Sequence, residues 1–215
     1  MIKYFKPMST AKREEIIDIY NAEEKQVKPW RTGAHHKKAF SVLKDYVSEE
    51  FGHENWTSNT GTFFETLYPY RIHTDTSVKE SNYQTVVIPL DWAHEEDSTL
   101  DENVLYIFNQ TWHKEGTMFL KGSPPSKEGP RFNTETREYS EVIDLVPDYI
   151  DISVAADCDH LTKENFEGMS VAAKMKWEPG QPFTFPRNAL HCSNNWHRLG
   201  IKQKLGLSLF TTTDL

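Results

Sequence analysis

The stretch Tyr70-Arg71-Ile72-His73-Thr74-Asp75-Thr76 holds the pattern on which the fold of this chain turns. Read as a strand, it sends residues i and i+2 to the same face, so His73 and Asp75 project together into one cavity. An imidazole and a carboxylate placed that way offer two of the three ligands of a 2-His-1-carboxylate metal site. Alone, His-x-Asp also suits a histidine hydrogen-bonded to a nearby carboxylate at a strand end. What decides between the two is what the rest of the chain can bring alongside.

On either side of this segment, from Gly52 onward, the texture is one of short extended runs rich in β-branched and aromatic residues, separated by turn residues. The runs are Phe63 to Tyr68, Tyr70 to Asp75, Thr85 to Leu90, Val104 to Asn109, Thr117 to Leu120, Val142 to Val146, Ile150 to Val154, Pro182 to Pro186 and Leu205 to Thr211. Many short strands with few helices indicate a barrel or a sandwich. Gly122 to Pro130 is a long turn-rich excursion, a lid or a disordered loop. Before Gly52 two helices are expected. One runs from Ser9 to about Gln26, capped by Ser9 or Thr10, with Ile16, Ile17, Ile19 and Tyr20 as its apolar stripe. The other runs from about His36 to Glu50, with Phe40, Leu43, Tyr46 and Val47 on one face. The 215 residues suit a single domain, with residues 1–52 as helical support and 53–215 as the β core.

A distant segment supplies a third ligand. In Trp177 to His191, Pro179-Gly180 is a turn, Phe183 and Phe185 alternate as one face of a strand, and His191 follows a second turn at Arg187-Asn188. His197 is the alternative, but it leaves a short link to the basic residues that follow. Those are Lys202 and Lys204, at the start of a terminal strand reading Leu205-Gly206-Leu207-Ser208-Leu209-Phe210. Strand alternation puts both lysines on one face.

His-x-Asp, a far histidine, then Gly200-Ile201-Lys202 about ten residues later, in that order, resembles the 2-oxoglutarate and iron(II)-dependent oxygenases. The likeness runs from about Tyr68 to Phe210. It implies a mostly β fold with flanking helices, a double-stranded β-helix of the jelly-roll, cupin-like type. It implies iron(II) held by His73, Asp75 and His191, open positions for 2-oxoglutarate and dioxygen, and a basic residue on a late strand for the distal carboxylate of 2-oxoglutarate. Lys202 or Lys204 fills that role, and the Gly-x-cation spacing favours Lys202. Lysine in place of the more common arginine substitutes a point charge for a bidentate fork. Tyr70 looks like a co-substrate-contacting tyrosine of prolyl-hydroxylase-like members, and a core tyrosine fits it equally. The implied reaction hydroxylates a peptide or amino-acid residue, or a small metabolite, releasing succinate and CO2, with ascorbate as an auxiliary reductant.

The remaining features exclude more than they assign. A net charge of −8 opposes the phosphate attraction on which nucleic-acid binding depends. The charge is uneven: Asp91 to Glu102 is strongly acidic, whereas Pro179 to Thr213 has no acid and carries Arg187, Arg198, Lys202 and Lys204, a setting for an anionic ligand or a solvated basic edge. No apolar run is long enough to cross a bilayer and the first residues lack a secretory pattern, so a cytoplasmic protein is expected. Cys158 and Cys192 are too few for a disulfide framework and read as packed thiols. Asp157-Cys158-Asp159-His160 lacks the spacing of a calcium loop and reads as a solvated turn. His94 and His113 read as surface or supporting histidines, and Trp112 and Trp196 as core or cavity-rim aromatics. The rival reading is a cupin-type metal-binding protein of another class, an isomerase or a small-molecule binding module. His191-x-x-x-Asn195 is compatible with it, but His73-Thr74-Asp75 is not the two-histidine motif a cupin wants.

Overall fold

The computed structural model describes residues 1–28, 31–35, 43, 46, 48–49, 56–75, 84–112, 142–143 and 146–211. Among these, eleven strands form two antiparallel sheets. The larger contains β1 (Lys3–Tyr4), β2 (Gln26–Lys28), β3 (Arg31–His35), β4 (Trp56–Thr66), β5 (Gln84–His94), β9 (Phe183–Pro186) and β11 (Ile201–Thr211), in the order β1-β9-β5-β11-β4-β3-β2. In the smaller, β6 (Val104–Trp112) pairs with β7 (Val142–Ile143), β8 (Val171–Lys176) and β10 (Ala189–Ser193). Helix α1 (Thr10–Ala22) begins at Ser9, whose side chain accepts the Lys12 N–H, as the capping residue predicts.

Strand alternation sorts the side chains into layers. On β5, Val86, Ile88 and Leu90 join Leu205, Leu207 and Leu209 of β11 and Phe63 of β4 in a core under Ile16 and Tyr20 of α1. The opposite face of the same sheet sends Val87, Phe183 and Phe185 inward, where they meet Ile107, Met175 and Ala189 from the smaller sheet. The outer face of the smaller sheet buries Tyr106, Phe108, Leu190 and Cys192 against Val154 and Cys158, on and just after a short helix, α2 (Ile152–Asp157). The molecule is therefore layered as helix, large sheet, inter-sheet core, small sheet, helix. The inter-sheet layer is filled by apolar side chains at one end and opens into a cavity at the other.

Three sequence expectations change. Ile150 to Val154 is not a strand, because the Asp151 carboxylate accepts the N–H groups of Ser153 and Val154 and caps α2, leaving Ile152 on the surface at 68% exposure. The first 52 residues are more than helical support, since β1, β2 and β3 extend the large sheet. Tyr70 to Asp75 is irregular, with pairing confined to His73. Leu43, Tyr46, Ser48 and Glu49 are helical, as expected within 36–50, and Leu43 is fully buried in the core beside α1. The rest of that helix, the run Thr117 to Leu120, His113 and the excursion Gly122 to Pro130 lie outside the described residues. No helix among the described residues is long and apolar enough to cross a membrane.

Candidate metal centre and cavity

His73 and His191 form a reciprocal backbone pair: each N–H donates to the other's carbonyl at 3.0 Å. A hydrogen-bonded antiparallel pair holds its two side chains on the same face, and the two imidazoles lie with centroids 4.3 Å apart. Alternation then explains which side they occupy. Leu190 and Cys192 pack outward against α2 and its flank, so His191 and Ser193 must point inward. Ile72 packs outward with the same cluster, so His73 and Asp75 also face in.

Both rings are held by the same device. His73 Nδ1 lies 2.8 Å from the Arg71 carbonyl, and His191 Nδ1 lies 3.0 Å from the Ala189 carbonyl. A carbonyl only accepts, so each Nδ1 carries the proton and each Nε2 turns a lone pair toward the cavity. Asp75 Oδ1 stands 3.9 Å from His73 Nε2 and 3.8 Å from His191 Nε2. Asp75 Oδ2 accepts the Thr85 hydroxyl at 2.7 Å. One ligand atom from each of the three residues can be chosen so that all lie within 4.8 Å of one another, and among the described residues this is the one such group of histidine, cysteine and carboxylate side chains. Nitrogen and oxygen donors sit about 2.0–2.2 Å from a first-row divalent ion, so two of them on one ion are at most about 4.4 Å apart. Both carboxylate–imidazole separations satisfy that limit. Two imidazoles that present Nε2 and one carboxylate, half-buried or buried and pre-oriented, fit a divalent transition metal.

The histidines set aside in the sequence fall elsewhere. His197 Nε2 bonds the Leu67 carbonyl at 2.8 Å, and His94 Nδ1 bonds the Glu95 carbonyl at 2.7 Å. The Asp157 to His160 run does not gather around an ion. Asp157 accepts the Tyr106 hydroxyl, Asp159 binds Asn195 and Arg198, and Cys158 Sγ lies 3.9 Å from Cys192 Sγ in the core. His160 Nε2 meets the Tyr70 carbonyl at 3.3 Å, and burial pushes its pKa down to about 4, so the ring is neutral near pH 7.

The triad opens into a cavity of about 360 Å³ between the sheets. Its walls include Thr62, Phe64 and Thr66 of β4 and Lys204, Ser208 and Phe210 of β11, alternate residues that leave the other face of each strand to the α1 core. Tyr70 lines it with its ring 4.5 Å from that of His73.

The two lysines do not share a face. Lys202 points to solvent, its side chain 63% exposed and its Nζ 3.4 Å from Glu95. Lys204 is 3% exposed and lines the cavity. The register of β11 against β5 slips between Ile201 and Gln203, a bulge that breaks the alternation between the lysines. Lys204 Nζ donates to Asn103 Oδ1 and lies 5.0 Å and 5.2 Å from the ring centres of Trp177 and Trp196. Among the described residues no carboxylate pairs with it, and burial pushes its pKa well down.

Thr85 and Asn103 escaped the sequence reading, while Trp196, read as a core or cavity-rim aromatic, does line the cavity. Thr85 could have been found by parity, because it shares the inward face of β5 with Val87. Asn103, Trp177 and Trp196, which surround the Lys204 ammonium, come from three separate turns or loops, and no local spacing connects them. Trp112, a rim candidate, is instead fully buried outside the cavity.

No protein-family model and no curated protein matches the chain. Among solved structures the chain is similar to the non-haem alpha-ketoglutarate-dependent carbocyclase SnoK from nogalamycin biosynthesis. The match has 10% identity and a TM-score of 0.47, covering 98% of this chain and 80% of that one. It is also similar to the non-haem alpha-ketoglutarate-dependent epimerase SnoN from the same biosynthesis, at 9% identity and a TM-score of 0.43, covering 97% and 77%. SnoN in complex with Fe3+, alpha-ketoglutarate and nogalamycin RO matches at 8% identity and a TM-score of 0.42, covering 98% and 78%.

Proposed function

We propose that the chain is a 2-oxoglutarate-dependent non-haem iron(II) oxygenase built on a double-stranded β-helix. The observation that carries this reading is the placement of His73, Asp75 and His191 in one cavity with the buried Lys204 ammonium, which pairs with no carboxylate among the described residues. The strand pairing supports the fold half of the proposal. Strands β4-β11-β5-β9 form four neighbours of one sheet, and His73, β10, β6 and β8 form four neighbours of the other, the double-sheet arrangement of a jelly roll.

His73, His191 and Asp75 would hold iron(II), which with 2-oxoglutarate and dioxygen supplies the oxidising power to convert a C–H bond to C–OH, with succinate and CO2 released. The chain's own residues do the rest. The Arg71 and Ala189 carbonyls hold both imidazoles in the tautomer that presents Nε2. Lys204 would take the distal carboxylate of 2-oxoglutarate. A buried ammonium without a counter-charge is costly, and a carboxylate within hydrogen-bond reach offsets that cost, so the apo site is built to favour an anion. Trp177 and Trp196 flank the ammonium, and Tyr70 lines the same cavity beside His73. The primary substrate, a peptide or amino-acid residue or a small metabolite, would enter past Thr62, Phe64, Ser208 and Phe210, and ascorbate would serve as auxiliary reductant.

The test is iron-dependent conversion of 2-oxoglutarate to succinate, with candidate substrates screened by mass spectrometry for a gain of one oxygen. The wild type is expected to turn over 2-oxoglutarate, and His191→Ala to be inactive with its fold retained. Iron binding with no consumption of 2-oxoglutarate under any condition would favour the cupin-type metalloprotein instead.

A further inference from the structure

The three candidate ligands are not anchored to one sheet. His73 and His191 belong to the small sheet through their mutual backbone pair, whereas Asp75, two residues after His73, lies in an irregular segment. Thr85 ties the Asp75 carboxylate to the large sheet. Its hydroxyl donates to Oδ2 at 2.7 Å, leaving Oδ1 turned to both imidazole Nε2 atoms. Thr85 is fully buried on β5, with its Cα opposite Phe185 on β9 and Phe210 on β11. Its carbonyl is fixed separately, accepting the Thr184 hydroxyl at 2.8 Å. A β-branched side chain in a strand has little rotamer freedom, so the backbone of the large sheet dictates where that hydroxyl points.

We infer that Thr85 is a positioning residue for the metal site. By engaging Oδ2 it presents Asp75 to the ion through Oδ1 alone, and by sitting on the sheet that carries Lys204 it sets the triad's distance from that ammonium. This rests on the metal-site reading above. A carboxylate freed of the hydroxyl can turn both oxygens to the ion, occupying a position that a co-substrate needs, or swing away from it. Either way the coordination changes while the fold has no reason to. Threonine and valine are nearly isosteric, and the Thr184 bond reaches the backbone, which the substitution keeps.

The experiment titrates the wild type, Thr85→Val and Thr85→Ser with cobalt(II), following the visible spectrum, which reports coordination number, and the dissociation constant. Thr85→Val is expected to bind cobalt about 10–100-fold more weakly, the usual effect of losing a group that supports a ligand, or to show an altered spectrum. Thr85→Ser should restore both. Melting curves without metal identify a variant that fails to fold, and in that case Thr85→Ala against Thr85→Ser makes the same comparison. Wild-type binding with Thr85→Val identical in affinity and spectrum overturns the role of Thr85 alone. A wild type that binds no cobalt, with the signal absent from every variant, overturns the metal site and the inference with it.

Discussion

At the scale of single residues, Lys204 differs from Lys202 in what its charge can do. Removing one partner of a buried, charge-assisted contact costs on the order of 2–4 kcal/mol, about thirtyfold to several-hundredfold in affinity. Lys204→Met should therefore weaken 2-oxoglutarate binding by that factor in anaerobic titrations with metal present. Lys202→Ala removes an exposed pair with Glu95 and should change the affinity less than about threefold. On stability two effects of Lys204→Met oppose each other: a desolvated charge is removed, and the buried Asn103 Oδ1 loses its donor. The pH dependence has a definite sign. Burial lowers the Lys204 pKa in the free protein, and an anion binds its charged form. Affinity should thus be full at lower pH and decline as pH rises through the depressed pKa, at a pH below that at which a surface lysine titrates. Calorimetry in buffers of different ionisation enthalpy would detect proton uptake on binding in that range. A wild-type affinity independent of pH into the alkaline region would remove Lys204 from the contact. The sequence placed a cation two residues after Gly200 and could go no further. Choosing between the two lysines required the bulge, and the bulge arises from how β11 lies against β5, a relation between segments about a hundred residues apart.

At the scale of elements, alternation along strands was the most legible feature. It put Phe183 and Phe185 on one face of β9 and the His73-Asp75 pair on one side although that segment is scarcely a strand, and it failed at Lys202 and Lys204, where β11 bulges. Where it misled, at Ile150 to Val154, a cap outweighed β-branched composition: Asp151 satisfies two N–H groups locally. One position in β11 links element packing to the cavity. Gly206 lies opposite Phe64 of β4, and a Cβ there would sit 2.4 Å from the Phe64 ring tip. Phe64 lines the cavity, so Gly206→Ala should drive its ring inward. Denaturant unfolding should show a loss of about 1–3 kcal/mol, typical of overpacking. The same variant should bind cobalt as the wild type does, because the triad lies on other strands. Unchanged stability would mean that the Phe64 ring relocates without resistance, and lost cobalt binding would mean that β4 and the triad move together.

At the scale of the whole molecule, the sequence showed several of the extended segments, such as β5, β6, β9 and β11, but not which neighbours they choose. Pairing order in antiparallel sheets depends on contacts distant in sequence, and residues 1–35 give no local hint that they extend the large sheet. The backbone pair between His73 and His191 has a further consequence, for the route by which the chain reaches its native state. The two residues are about 118 positions apart, and closing a loop of that length costs about 4 kcal/mol of chain entropy beyond a constant, before any contact is gained. Strand β11, which follows every other described strand, lies between β5 and β4 in the interior of the large sheet, so that sheet is also completed late. Contacts this non-local slow folding, and the ion site can exist only after they form. In stopped-flow refolding with cobalt present, helix formation in the far ultraviolet should precede the colour of the bound ion, which should appear with the last major phase. Colour appearing in the earliest phase would show that the imidazoles capture metal from an open chain and that the ion itself recruits the strands. In that case metal supply during synthesis would govern the yield of folded protein, not only its activity.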